Sequence, residues 1–312
     1  MTATTRMLYV ALELGCDKWV LASATQAAEK PRFRTVLARN LAALQEEIAK
    51  AKVRFGLPAD APVCTCYEAG RDGFWLHRAL TKIDITNVVV DASSIEVNRR
   101  QKQIKSDPVD AAKLVNMLCR YHAGERKVWS VVNVPSVADE DGRQLHRGMK
   151  DLQRQKTECS NRIKGLLASQ GLTAAVDAKF RTTLSTLRDW ADQPVPAGMQ
   201  TRLLQEYVVW EALHRQERDT ANEQERQLRE GQDRHQEMMR KLMGLKAVGV
   251  RTAWILVMEL FSWRAIKNGK QLGSLVGLTP VPYDSGKNAT PPTSRNGNCA
   301  KAKISAWSRC GD

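Results

Sequence analysis

Hydrophobic positions near the start of the chain come in short blocks. The runs at 7–14 (MLYVALEL) and 18–24 (KWVLASA) flank a Gly-Cys-Asp turn, which predicts a hairpin opening a sheet. Across 38–55 the apolar residues fall at 41, 44, 48 and 51–53 with charges between them, a helical period. Pro58 and Pro62 break that pattern. A strand is then predicted over 63–67, a helix over 74–80 and a buried strand over 88–91. A loop rich in Arg, Lys and Gln follows, and 107–121 reads as a further helix. Strands alternating with helices predict an α/β domain with a central sheet.

Farther on, over 138–171 and 199–242, helix formers and charges dominate. A seven-residue frame through Tyr207, Trp210, His214, Glu217, Ala221, Gln224, Leu228, Gly231, His235, Met238 and Leu242 is apolar at both ends and polar in its centre. A helix so short of core residues calls for a partner helix, from the same chain or from a second subunit. A solvated helix bridging two domains fits the pattern equally well. The segment DQPVPAG at 192–198 interrupts the helices. The expected organisation is an α/β domain over 1–125, a helical, coiled-coil region over 126–240 and a small, mostly α domain over 241–312.

Charge changes the picture. The 312 residues carry a net charge of +14 and a pI near 9.6, which points to a polyanionic partner, most simply nucleic acid. From Lys241 onward there are 11 Lys and Arg against 3 acidic residues, so that end should handle much of the polyanion. No run of about 18 uncharged apolar residues exists to cross a membrane. The N-terminal MTATTRMLYV lacks the regions of a signal peptide, so a cytoplasmic protein is expected. The 7 cysteines, an odd and scattered set, read as free thiols. Cys64 and Cys66 have no second Cys/His pair at zinc-ligand spacing and read as small core or face residues of a strand.

Four carboxylates carry the candidate chemistry. Glu13 is expected in the middle of the opening strand, in an otherwise apolar run, and Glu68 follows VCTCY at a strand end. Asp107 and Asp110 lie in SDPVDAAKL, where Ser106 is a candidate N-cap and Pro108 suits the first turn. A spacing of three puts both aspartates on one helical face. Carboxylates from two strands and a facing helix can form the oxygen-rich pocket that a hard ion such as Mg²⁺ needs. The two aspartates also suit a helix N-terminus on dipole grounds alone. A second signal, 242–260 (LMGLKAVGVRTAWILVMEL), resembles a helix-hairpin-helix able to hold a phosphate, with Ala247 where a hairpin glycine is usual. A plain helical corner in a core fits the same residues. Ser285 stands in a Pro/Gly-rich turn before Gly286 and Lys287, and no His follows position 235 to pair with it. Candidate phosphate contacts are Arg99, Arg100, Lys102 and Lys105 in the basic loop, and Lys246, Arg251, Lys287 and Arg295 toward the C-terminus.

In order, Glu13 in YVALELG, Glu68 in YEAGRDGFWLHR, Asp107 and Asp110 in KSDPVDAAKL, a charged helical middle, LKAVGVRTA and GLTPVPYDSG resemble the DEDD-motif insertion-sequence transposases. This family, numbered one-hundred-and-ten, includes the Piv-type invertases and the bridge-RNA-guided recombinases. The resemblance implies an RNase H-like (RuvC-like) N-terminal domain, a coiled-coil insertion and a small C-terminal transposase domain. It implies DNA cutting and rejoining at element ends and target, guided by a structured RNA. Glu13, Glu68, Asp107 and Asp110 would then be Mg²⁺ ligands and Ser285 the nucleophile. A homo-oligomer, dimer or tetramer, is expected with it. Two features depart from the pattern. Glu13 stands where the family usually has Asp. After Thr293–Asn298 the chain runs CAKAKISAWSRCGD, without the family's long Arg-bearing helix, and reads as a shortened end. A junction-resolving nuclease of the same class, or a remnant that only binds nucleic acid, are the alternative expectations.

Overall fold

The computed structural model describes residues 6–95 and 106–277. The described residues pack as two compact units, one from 6–95 and 106–134 with 265–277 and the other from 135–264.

The first unit is built on a five-stranded sheet in the order β3-β2-β1-β4-β5. Strands β1 (Leu8–Leu14) and β2 (Lys18–Ala24) form the antiparallel hairpin, and β3 (Arg32–Leu37) adds antiparallel to β2. Strand β4 (Val63–Glu68) lies parallel to β1, and β5 (Thr86–Val90) lies parallel to β4. The predicted strands are all present. β3 has no counterpart in the expectation, because in RFRTVL only Val36 is buried and the other positions are polar or open. As an edge strand it lacks the apolar alternation by which a strand is read.

Alternation sorts the sheet into two faces. On one, Leu8, Val10, Leu12, Trp19, Leu21, Val63 and Tyr67 pack against α1 (Leu41–Arg54) and α2 (Trp75–Lys82). Asn40 caps α1, its side chain accepting from the Ala43 amide, and Leu44, Ile48 and Ala51 form the buried stripe. On the other face Ala11, Ala22, Ala24, Cys64 and Cys66 meet Ala111, Leu114, Val115 and Leu118 of α3 (Asp107–His122). Small side chains beneath α3 let the helix lie close to the strands. Cys64 and Cys66 are fully buried there, as their alternation suggested. Burial pushes the Cys66 thiol well up, so it behaves as a small apolar residue.

The second unit is helical: α4 (Val137–Asp141), α5 (Gln144–Ala168), α6 (Phe180–Thr186), α7 (Ala197–Glu230), α8 (Arg234–Met243) and α9 (Val250–Leu256), the last continuing as a π turn over Val257–Phe261. A short α10 (Gly269–Leu275) belongs to the first unit. α5 and α7 run antiparallel: Gln153 meets Glu217, whereas Cys159 and Arg162, farther along α5, meet Glu206, farther back on α7. The partner helix that the polar seam called for thus comes from the same chain. Cys159, Ile163, Leu167, Leu203, Tyr207 and Trp210 pack one end of the pair, with Phe180 and Leu184. At the other end Leu228 joins Met239, Trp254, Val257 and Met258.

One expectation is corrected here. The frame over 199–242 does not run as one helix: α7 stops at Gly231, and Asp233 caps α8 by accepting from the His235 and Gln236 amides. The extended backbone at Gly231 leaves no space for a side chain, since a Cβ would stand 2.6 Å from the Gln227 carbonyl oxygen. A glycine followed by an Asp cap outweighs the heptad pattern.

Candidate active site

Two strands and one helix bring the four carboxylates toward one end of the sheet. Leu12 pairs with Tyr67 at the last register position of the β1–β4 ladder, so Glu13 and Glu68 come next on neighbouring strands. By alternation both fall on the face that Ala11, Cys64 and Cys66 present to α3. Glu13 is half-buried near the end of β1, past the middle position expected of it, and Glu68 is exposed at the last residue of β4.

Helix α3 runs against the direction of these strands. Its last residue, His122, stacks edge-on with Tyr9 near the start of β1, their ring centroids 5.4 Å apart. Cys66 Sγ lies 3.9 Å from the Leu114 carbonyl oxygen. One turn back from Leu114 is Asp110, about 6 Å along the helix axis. Two residues on from Cys66 is Glu68, about 6.6 Å along the strand. The two steps match, so Asp110 stands roughly level with Glu68 and Glu13, and Asp107 lies one turn beyond. Ser106 is the N-cap with Pro108 in the first turn, but its hydroxyl makes no capping hydrogen bond. The Asp107 and Asp110 carboxylates make no hydrogen bond or ion pair among the described residues. Among those residues no group of three or more His, Cys, Asp and Glu side chains is close enough together to hold a metal ion. The donor set is carboxylate oxygen throughout, the chemistry a hard divalent ion takes.

Other candidates fall differently. Lys246 is exposed in the turn before α9, while Arg251 contacts the Glu217 carboxylate at 3.3 Å. Ala247 adopts φ 70°, the left-handed conformation for which a hairpin normally uses glycine. Ser285, Arg99, Arg100, Lys102, Lys105, Lys287 and Arg295 lie outside the described residues.

Several groups escaped the sequence reading. At this same end of the sheet, Asp72 holds Arg71 at 3.2 Å and Arg39 at 3.8 Å. In the second unit Glu259 accepts from His146 Nε2 and Arg147 Nε, both at 2.9 Å, and from Arg147 Nη2 at 3.2 Å. Burial works to raise the Glu259 carboxyl, but the His146 and Arg147 hydrogen bonds outweigh it and hold it at about 2. The signal available was the one that flagged Glu13: a lone acid in an apolar run, here VMELF. Midway along α7, Glu217 accepts from Gln153 and Lys156 and faces Arg251. Burial opposes the lowering of its carboxyl, and the Lys156 and Gln153 hydrogen bonds prevail.

Comparison with known proteins now decides the family. The chain is 33% identical over 291 residues to "Putative transposase y4rJ" of Sinorhizobium fredii (strain NBRC 101917 / NGR234), an alignment covering 89% of this chain and 73% of that one. The family described as Transposase IS116/IS110/IS902 matches residues 239–301. The chain belongs to this transposase family. Membership makes it a DNA-processing enzyme at that level of description. Among the described residues no helix is long and apolar enough to cross a membrane.

Proposed function

We propose that this family member is a site-specific DNA recombinase, with an RNase H-like first unit, that cuts and rejoins element ends and target under the guidance of a structured RNA. The observation carrying the reading is that Glu13, Glu68 and the start of α3 lie toward the same end of one sheet face. Strand order β3-β2-β1-β4-β5, with three antiparallel strands followed by two parallel to β1, supports the RNase H-like assignment. Glu13, Glu68, Asp107 and Asp110 would hold Mg²⁺, which when bound supplies charge neutralisation at a phosphate.

Ser285 is the proposed nucleophile. Its Oγ forms a new bond to phosphorus as one P–O ester bond of the strand breaks, and the hydroxyl proton ends on the released strand's oxygen. One phosphodiester becomes another, so the step is reversible and permits rejoining. The high positive charge over 241–312 supports contact between that end and the DNA backbone. A dimer or tetramer would let one copy's serine serve another's carboxylates.

The test is a Mg²⁺-dependent cleavage assay with the element's ends and RNA, comparing wild type with Ser285→Ala and Asp107→Ala. A protein–DNA adduct in wild type, lost in both variants, is expected. Cleavage without an adduct, unchanged by Ser285→Ala, would replace the recombinase with a water-using nuclease. Salt-sensitive binding without cleavage would leave a nucleic-acid-binding remnant.

A further inference from the structure

The carboxylate end of the sheet has a difficulty as a phosphate site: acidic side chains repel the strand they are meant to receive. Cations close by would offset this. Arg71 lies three residues beyond Glu68, and one guanidinium nitrogen donates to Cys16 Sγ, three residues beyond Glu13. Because β1 and β4 are neighbours, this side chain links the two loops that leave the carboxylate-bearing strand ends. Asp72 accepts from Arg71 Nη2 at 3.2 Å, and Arg39 Nη2 approaches the same carboxylate at 3.8 Å. Arg39 reaches this end because Leu37, the last residue of β3, pairs with Lys18 at the start of β2.

The balance of charge and exposure is uneven. Asp72 is 8% exposed, whereas Arg71 and Arg39 are 47% and 61% exposed. One sequestered carboxylate therefore faces two open guanidiniums, leaving a positive charge in excess. Each guanidinium has five N–H donors, and Arg71 spends two of them on Cys16 and Asp72. The rest suit the paired oxygens of a phosphate. Arg39 holds a left-handed φ of 65°, a strained conformation for a non-glycine residue.

We propose that Arg71 and Arg39, oriented by Asp72, form a phosphate-binding rim that seats a DNA strand's backbone beside the carboxylates. This rests on the reading of that end as the DNA-cutting site, but it is tested by binding alone. The probe is a labelled mixed-sequence duplex, since phosphate contacts carry no sequence information. Binding to the full chain is measured in EDTA across about 50–200 mM salt. Arg71→Gln and Arg39→Gln should each flatten the log–log salt slope by about 0.9, and the double variant by about 1.8. Arg71→Lys, which keeps the charge, should keep the slope. Arg229→Gln, at a 75% exposed arginine of α7, should also leave it unchanged.

Wild-type slopes in Arg71→Gln and Arg39→Gln, with unchanged circular dichroism melts, would overturn the rim. So would equal flattening by Arg229→Gln, which would reduce the effect to net charge. Flattened slopes in the two variants, beside a wild type that never cleaves DNA, would uphold the rim and remove the recombinase reading. Unchanged slopes beside normal cleavage would remove the rim alone.

Discussion

Replacing Glu259 by Gln should lower the stability of the helical unit by about 3 kcal/mol at pH 7. The wild-type carboxylate is 9% exposed and accepts three hydrogen bonds, two of them from Arg147. Its pKa is held at about 2 against an ordinary 4.5. About 2.5 units at 1.36 kcal/mol each gives the figure, which agrees with the roughly 3–5 kcal/mol lost when one partner leaves a buried ion pair. The amide offers one acceptor oxygen where three donors converge, and turns an N–H toward the others. Arg143, buried alongside with its Nε unpaired among the described residues, loses a nearby negative charge as well. At roughly 4 °C per kcal/mol the unit's melting transition should fall by about 12 °C. The pH dependence gives a second check. A depressed carboxyl contributes fully above its unfolded pKa, and that contribution drains away as pH falls from about 4.5 through 2. The gap between wild type and variant should therefore be about half as large at pH 3 as at pH 7. Melting within about 1 °C of wild type at pH 7, or a gap that does not change with pH, would refute the reasoning.

Ala247→Gly should stabilise the turn before α9 by about 0.5–1 kcal/mol, because relief of a left-handed alanine exceeds the entropy glycine costs, and a urea melt would show it. Gly15→Ala should do the reverse: its Cβ would stand 2.5 Å from the Lys18 carbonyl oxygen, so the β1–β2 turn must shift, at about 1–3 kcal/mol by the same measurement. Tyr207→Phe removes the hydroxyl that donates to the Asp177 carbonyl at 2.7 Å and should cost about 1 kcal/mol, whereas Trp190→Ala, 92% exposed, should stay within about 0.5 kcal/mol of wild type. Of the five described cysteines, exposed Cys16 should be alkylated quickly in the native protein, with Cys64, Cys66, Cys119 and Cys159 protected until unfolding, as mass spectrometry of the labelled peptides would report.

Much of the fold is legible because the core strands and helices state their periods openly. Alternating or continuous apolar runs mark β1, β2, β4 and β5, and the spacing of Leu44, Ile48 and Ala51 marks α1. What fails does so for identifiable reasons. β3 is an edge strand, paired on one side and largely open, so its sequence carries arginines where a buried strand would carry valines. The break at Gly231 is a contest between a heptad frame and two local residues, and local backbone chemistry wins because the frame there is polar and supplies little burial. Glu259 is an acid whose partners are distant in sequence, and Asp72 joins its neighbour Arg71 to the distant Arg39; nothing in VMELF indicates that His146 and Arg147 will meet Glu259.

The carboxylate end shows how far pattern alone carries a site. That Glu13 and Glu68 share a face follows from two facts: β1 and β4 are parallel neighbours, and both acids fall on the alternation shared by Ala11, Cys64 and Cys66. The first fact is invisible without the sheet order, since 54 residues separate the two acids. The level of Asp110 depends on a third condition, the close seating of α3. That seating is possible because the residues beneath it are alanine and cysteine, while the bulky Leu8, Leu12 and Trp19 point to the opposite face. Small residues that look merely permissive in the sequence thus set the height of the acidic helix end. Because Ala11 pairs with Cys66, which lies against Leu114, enlarging Ala11 would raise α3 one turn from Asp110 while leaving all four carboxylates in the chain.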